Sequence, residues 1–262
     1  MSNPTDSPLA IQYLSDLHLE FRDNSQWIAE HMPRPVAPVL VMAGDMTMLG
    51  TAKLRQHQFF SWCSHNFELT LIVPGNHEFY DGFDVADALA GLDLELQPRV
   101  RYCCNTTVAY RNTDLMLTTL WTEIDPQSIE AVQKHMPDYS RITYNGRPLT
   151  AADSAALHHC CRDWLTGALA ASTARHKVVV THHCPVNVED PRYGGNDLST
   201  AFIAPMEDYV AACGADAWVF GHTHYNAANG MQLGTTVLHT NQMGSASDPC
   251  QGFSDAAKFE LP

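Results

Sequence analysis

The stretch VLVMAGDMTM, residues 39–48, decides the fold. Val39 to Ala43 is an unbroken apolar run, the pattern of a strand buried on both faces. It stops at Gly44 and delivers a carboxylate, Asp45. The same design recurs along the chain. Ile11 to Ser15 leads to Asp16 and His18. Leu69 to Val73 leads through Pro74 and Gly75 to Asn76, His77 and Glu78. Val178 to Val180 leads through Thr181 to His182 and His183, and Ala217 to Phe220 leads through Gly221 to His222 and His224.

Further strands are expected at Thr107–Tyr110, Leu115–Thr119 and Thr235–His239. Between them lie three helix-like stretches, Lys53 to His65, Ala151 to Ala171 and Ile203 to Ala212. The second carries Leu157, Cys161, Trp164, Leu165 and Leu169 close to helical spacing, with Thr150 and Asp153 as a capping start. Strands alternating with helices define an α/β architecture. The segment from Trp121 to Pro148 has weak periodicity and reads either as an excursion over a site or as a surface connection.

Composition narrows the function classes. The 262 residues and 45% hydrophobic content suit a folded domain with a sizeable core. No apolar run reaches the ~20 residues that span a bilayer. Met1 to Ala10 lacks a signal-peptide pattern, so a cytoplasmic location is expected. The net charge of −14 argues against binding nucleic acid through its phosphates. The 8 cysteines include two adjacent pairs, Cys103–Cys104 and Cys160–Cys161, and no Cys-x-x-Cys, so they are expected to be reduced and mostly buried.

Open α/β sheets bind ligands beyond the carboxyl ends of their strands. Each of the five apolar runs quoted first places potential metal ligands at that end. Carboxylate, imidazole and amide donors together suit borderline divalent ions, manganese first, with iron or zinc as alternatives. One aspartate can bridge two ions held ~3.5–4 Å apart. Gly44, Gly75 and Gly221 are expected to let the chain turn where a ligand faces inward. Each piece has a bland reading as a turn, a cap or an exposed loop pair, but only metal binding explains all five together.

The motifs SDLH (15–18), AGDM (43–46), GNHE (75–78), THHCP (181–185) and GHTH (221–224), in that order, resemble the calcineurin-like metallophosphoesterase superfamily. The resemblance covers most of the chain. It implies a four-layer α-β-β-α sandwich with two mixed β-sheets, formed by residues 1–262 as one domain. It also implies two divalent metal ions. Asp16, His18, Asp45 and His224 would hold one, Asp45, Asn76, His182 and His222 the other, with Asp45 bridging. Asn76 and His77 would contact substrate phosphate, and His77 would protonate the leaving group as the catalytic residue. Glu78 and His183 are expected behind the ligands. SDLHLEF (15–21), TTLWT (118–122) and MPDYSRI (136–142) further resemble a bacterial subgroup, which marks Asp138, Tyr139 and Arg141 as pocket-lining candidates.

The implied chemistry is phosphoester hydrolysis by a metal-activated hydroxide attacking phosphorus. The substrate is expected to be a small or nucleotide-like phosphodiester. Alternatives are a phosphomonoester, a non-catalytic metal-binding scaffold and a DNA nuclease. The complete ligand set speaks against the scaffold, and the short acidic chain against the nuclease. Gly44-Asp45-Met46-Thr47-Met48-Leu49 lacks the second aspartate and the arginine of the protein phosphatases of this superfamily. Met48 stands where purple acid phosphatases carry tyrosine.

Overall fold

The computed structural model describes residues 8–51, 54–188 and 198–261. Two six-stranded mixed sheets lie face to face. The first contains β1 (Leu9–Leu14), β2 (Val39–Met42), β3 (Leu69–Ile72), β4 (Leu92–Gln97), β5 (Val100–Cys104) and β16 (Lys258–Leu261), in the order β16-β1-β2-β3-β5-β4. The second contains β6 (Thr106–Tyr110), β7 (Thr113–Thr118), β10 (His176–Thr181), β11 (Ala217–Phe220), β12 (Gln232–Leu233) and β13 (Thr236–Thr240), in the order β12-β13-β11-β10-β7-β6. Two short hairpins complete the strands. They are β8 (Thr143–Tyr144) with β9 (Arg147–Pro148), and β14 (Gly244–Ser245) with β15 (Asp248–Pro249).

The apolar runs form the parallel centre of each sheet. β1, β2 and β3 pair in parallel, as do β7, β10, β11 and β13. Ile11, Val39, Val41 and Leu71 meet Leu115, Leu117, Val178, Val180 and Val219 between the sheets. The opposite faces are covered by helices, because a strand buried on both sides needs apolar partners on both. α1 (Arg22–Glu30) and α2 (Gln58–Asn66) cover the first sheet through Ile28, Phe59, Phe60 and Cys63. α6 (Ser154–Ala171) and α7 (Glu207–Ala212) cover the second through Leu165, Leu169 and Val210. This is the expected four-layer arrangement. α3 (Val85–Leu89), α4 (Ile129–His135) and α5 (Asp138–Arg141) pack with Phe79, Trp121 and Leu157 in a further apolar cluster. Among the described residues, no helix is long and apolar enough to cross a membrane. The cysteines are free thiols.

Three expectations need correction. The helix expected from Lys53 is a short 3-10 turn at Leu54–Gln56 followed by α2, and Lys53 itself lies outside the described residues. The helix expected from Ile203 begins at Glu207, because Pro205 disfavours helical backbone in the residue before it. The helix from Ala151 opens with a 3-10 turn, where Thr150 and Asp153 form a capping box. The edge strands β4 and β16, and β5 beside β4, are absent from the sequence reading. Their alternating or charged composition carries a weaker signal than the central apolar runs.

His239 in β13 offers a measurable pH response. Its ring stacks on Phe259 with centroids 4.3 Å apart and planes 6° apart. Burial pushes its pKa down to about 4 from 6.5. Below the ordinary value the unfolded chain binds more protons than the folded one. Stability is therefore lost as pH falls from about 6.5 towards 4, approaching about 2 kcal/mol at pH 5. His239→Phe keeps a ring in the stack and cannot take up a proton. It should lose less stability than the parent chain between about pH 7 and pH 5 in denaturant melts. The same acid loss in both chains would show that this ring is not responsible.

Candidate metal centre

All seven expected ligand residues converge at the carboxyl ends of β1, β2, β3, β10 and β11. Asp16, His18 and His224 form one group able to hold a metal ion, and Asp45, His182 and His222 another; His18, Asp45 and His77 form a third that overlaps the first two. His18 Nε2 lies 3.1 Å from His224 Nε2, and Asp16 Oδ1 lies 3.4 Å from His224 Nε2. On the other side, His182 Nε2 lies 3.0 Å from both Asn76 Oδ1 and His222 Nδ1. The two oxygens of Asp45 divide between the groups. Oδ1 is 3.5 Å from His182 Nε2, and Oδ2 is 3.8 Å from His18 Nε2 and 4.0 Å from His77 Nε2.

The backbone is strained where it presents these donors. Asp16, His18, Asp45, His222 and His224 all have positive φ, between 46° and 73°. Left-handed backbone costs a non-glycine residue ~1–2 kcal/mol, and such strain clusters at functional sites. The loops hold one another in place. Asp16 N–H donates to Gly44 O, His18 N–H to Asp45 O, and Gly244 N–H to Asp16 O. His222 N–H donates to the Asp16 carboxylate, and His224 N–H to Gln242 Oε1.

The glycines act differently from expectation. Only Gly44 has a positive φ, at 87°. Gly75 and Gly221 are needed for close approach: a Cβ on Gly75 would lie 2.2 Å from Asp45 Oδ1, and one on Gly221 2.7 Å from Asp16 Oδ2.

Hydrogen bonds orient the rings. His182 Nδ1 lies 2.8 Å from Ala43 O, which only accepts, so Nδ1 carries a proton and Nε2 is the ring atom turned inward. The Asn76 amide donates through Nδ2 to Asp138 Oδ1 at 2.9 Å and to Tyr80 Oη at 3.2 Å, which turns its Oδ1 inward. Tyr80 Oη also donates to Asp138. His182 Nε2 and Asn76 Oδ1 therefore face each other at 3.0 Å, with Asp45 Oδ1 beside them. A ring nitrogen, an amide oxygen and a carboxylate oxygen gathered so closely make a donor set for a borderline divalent cation. His222 turns Nδ1 into the cluster, 3.0 Å from His182 Nε2, and among the described residues its buried Nε2 makes no hydrogen bond of standard geometry. The donor set and its orientation fit divalent metal ions.

Residues behind the donors are fixed as firmly. Glu78 is fully buried and accepts from the N–H groups of Asp45, Met46, Thr47 and Gly75 and from Tyr102 Oη. Burial and the Asp45 charge push its pKa up to about 8, against the pull of these donors. His183 accompanies His182 in the strand-end motif, but its Nδ1 meets Thr119 O at 3.2 Å and its ring packs on Trp121. Tyr139 meets Ser154 Oγ at 3.1 Å, and Arg141 lies over the Tyr80 ring; neither lines the cleft described below. Asp138 is thus the member of the Trp121–Pro148 segment that reaches the cluster.

Glu20 and Gln242 carry roles not read from the sequence. Glu20 Oε1 accepts from His77 Nδ1 at 2.8 Å and from His18 Nδ1 at 3.2 Å. Burial alone would raise the Glu20 pKa, but these two histidines hold it at about 2. Burial likewise opposes the charge on His77, yet Asp45 and Glu20 raise its pKa to about 9. Burial raises and His224, with His182 and His18, lowers the Asp16 carboxyl, to a net value of about 2. Glu20 stands inside the quoted SDLHLEF stretch, so proximity to His18 was the only available signal. Gln242 comes from the closing segment, where the sequence carried none.

Glu20→Ala should free both rings to rotate. Loss of a carboxylate that orients a metal-binding histidine lowers metal affinity or activity by about 10–100-fold. Isothermal titration of metal-stripped protein with Mn²⁺ measures this. Unchanged affinity and unchanged turnover together would remove the orienting role.

Outside the cluster, a cleft of about 550 Å³ opens onto His18, His77 and His224. Its walls are Phe21, Arg22, Asp23 and Asn24 at the start of α1, and Gly244, Ser245 and Ser247 of the β14–β15 hairpin.

Comparison with known proteins agrees with this arrangement. Residues 11–226 match the family model of the calcineurin-like phosphoesterases. The chain belongs to that family and is a metal-dependent phosphoesterase. It is 25% identical over 271 residues to the uncharacterized protein L509 of Acanthamoeba polyphaga mimivirus, covering 89% of this chain and 90% of that one. Among solved structures it is similar to the phosphopantetheinyl hydrolase of Mycobacterium tuberculosis, with a TM-score of 0.65 and 16% identity over 91% of this chain and 90% of that one. At that identity the likeness shows a shared fold.

Proposed function

We propose that the protein is a binuclear-metal phosphodiesterase acting on a small substrate, with residues 1–262 forming one catalytic domain. The observation that carries this reading is the division of the two Asp45 oxygens between two converging donor groups. Asp16, His18, Asp45 and His224 would hold one ion, and Asp45, Asn76, His182 and His222 the other. Bound there, divalent ions supply Lewis-acid polarisation of the phosphoryl group and offset the charge that develops on its oxygens.

The protein's own groups do the rest. Glu20 and Asp138 fix the rings and the amide before substrate arrives, so little reorganisation remains for the reaction itself. His77 has a side chain 20% exposed on the cleft floor. With Nδ1 held by Glu20, its Nε2 is the ring atom left to donate. An imidazolium kept charged by Glu20 and Asp45 can contact the phosphate and give its proton to the departing oxygen. The cleft favours a diester over a monoester. Its one arginine, Arg22, is beside Asp23, which suits a monoanionic diester better than a dianionic monoester.

The decisive experiment is turnover of bis-p-nitrophenyl phosphate and p-nitrophenyl phosphate before and after chelation. Chelation should abolish activity, Mn²⁺ should restore it, and the diester should be preferred. Activity that survives complete metal removal would overturn the metal reading. Preference for the monoester would overturn the diester reading alone.

A further inference from the structure

The start of α1 breaks a local rule. Its N-cap residue is Phe21, whose side chain makes no capping hydrogen bond. Serine, threonine, aspartate and asparagine are favoured there because their oxygens accept from the first free N–H groups of the helix. Phenylalanine gives up that stabilisation. It is also 52% exposed, and among the described residues only Met231 is another exposed large hydrophobic. An isolated exposed apolar residue would be unremarkable. Phe21, however, lines the cleft, and its ring sits against two rings of the cluster, 5.7 Å from His18 and 6.1 Å from His77 between centroids. A local violation located at a site is a sign that the residue serves the site.

The rest of the wall limits what this ring can meet. Arg22 and Asp23 offer opposite charges side by side, so the wall has no net attraction for a second phosphate. Across the cleft, Ser245 Oγ and Ser247 Oγ lie 2.8 Å apart and share one hydrogen, which leaves one hydroxyl hydrogen to donate. The volume lies within the ~300–1,000 Å³ range of small-molecule sites. We infer that Phe21 is the platform on which a nucleobase of the substrate stacks, so that the substrate class is a phosphoester of a nucleoside. The inference rests on the phosphodiesterase reading for its scissile bond, but the stacking itself needs neither phosphate nor metal.

Two measurements separate the two readings. The first is binding of adenosine, which carries no phosphate, to the chain with and without Mn²⁺. Phe21→Ala should weaken it by about ten-fold or more, the size expected for a base on an aromatic ring, and Phe21→Trp should retain it. The second compares kcat/KM for the ethyl ester of adenosine 5′-phosphate with that for the ethyl ester of ribose 5-phosphate, which present the same ester. The parent chain should favour the first, and Phe21→Ala should reduce that ratio towards one. Absence of adenosine binding, or an equal fall on both esters, would overturn the platform. Adenosine binding without turnover of either ester would leave the platform standing and overturn the phosphodiesterase reading.

Discussion

Asp45→Asn should weaken metal binding at both halves of the cluster and lower diester turnover by at least about 10³-fold. The magnitude follows from the several kcal/mol that metal ions contribute to stabilising a phosphoryl transition state. The substitution is chosen to keep the loop intact. Asparagine matches aspartate in size, and its remaining oxygen can still accept the His77 N–H, which Asp45 Oδ1 takes at 3.0 Å. What it removes is the second carboxylate oxygen, the one facing His18 and His77. Metal content of the purified variant should fall for both ions. Asp16→Asn is the contrast, because Asp16 groups as a donor with His18 and His224 and meets His222 of the other half only at its backbone N–H, so metal loss should be confined to one half. Full metal occupancy in Asp45→Asn would contradict bridging, and loss of a single ion would place Asp45 in one half alone.

His77→Ala should keep metal and lose turnover in a manner that depends on the leaving group. Removing a general acid costs ~10²–10⁴-fold. That loss belongs to esters whose departing oxygen is too basic to leave unaided. An ester of p-nitrophenol needs little proton transfer and should be impaired much less. Rates of alkyl and p-nitrophenyl diesters, measured on the same metal-loaded variant, give the contrast. An equal loss on both would reassign His77 to binding or to structure. A large loss of metal would instead make it a ligand, an outcome its 4.0 Å approach to Asp45 Oδ2 makes worth measuring.

The central strands were readable because they are buried on both faces, so that their sequences are apolar without interruption. Ala217–Phe220 is β11 as expected, and β2 ends at Met42, one residue before the expected Ala43. β4 and β16 alternate between exposed and covered positions at the sheet edges; in Leu92–Gln97 this shows as apolar–polar alternation, a half-buried strand's signal that differs from the unbroken apolar runs of the centre. Likewise, Thr150 with Asp153 announced a capping box because its signal lies within four residues. The pairing of Asp138 with Asn76 lies 62 residues apart and left no trace in either motif.

The sequence by itself determined the α/β class, the strand ends as the place where the candidate ligands gather, and the residue types found there. Those properties are local, since a strand and the turn that follows it are encoded in neighbouring residues. Only the tertiary structure decided how the donors face. The inward turn of His182 Nε2 depends on Ala43 O, 139 positions away in the chain. His18 and His77 are oriented by one carboxylate, Glu20, and the strained backbone at His224 is held by Gln242. Ring and amide orientation follow from hydrogen-bond partners brought together by packing of the two sheets and their loops. Distances of this kind are fixed in space, and sequence spacing does not record them.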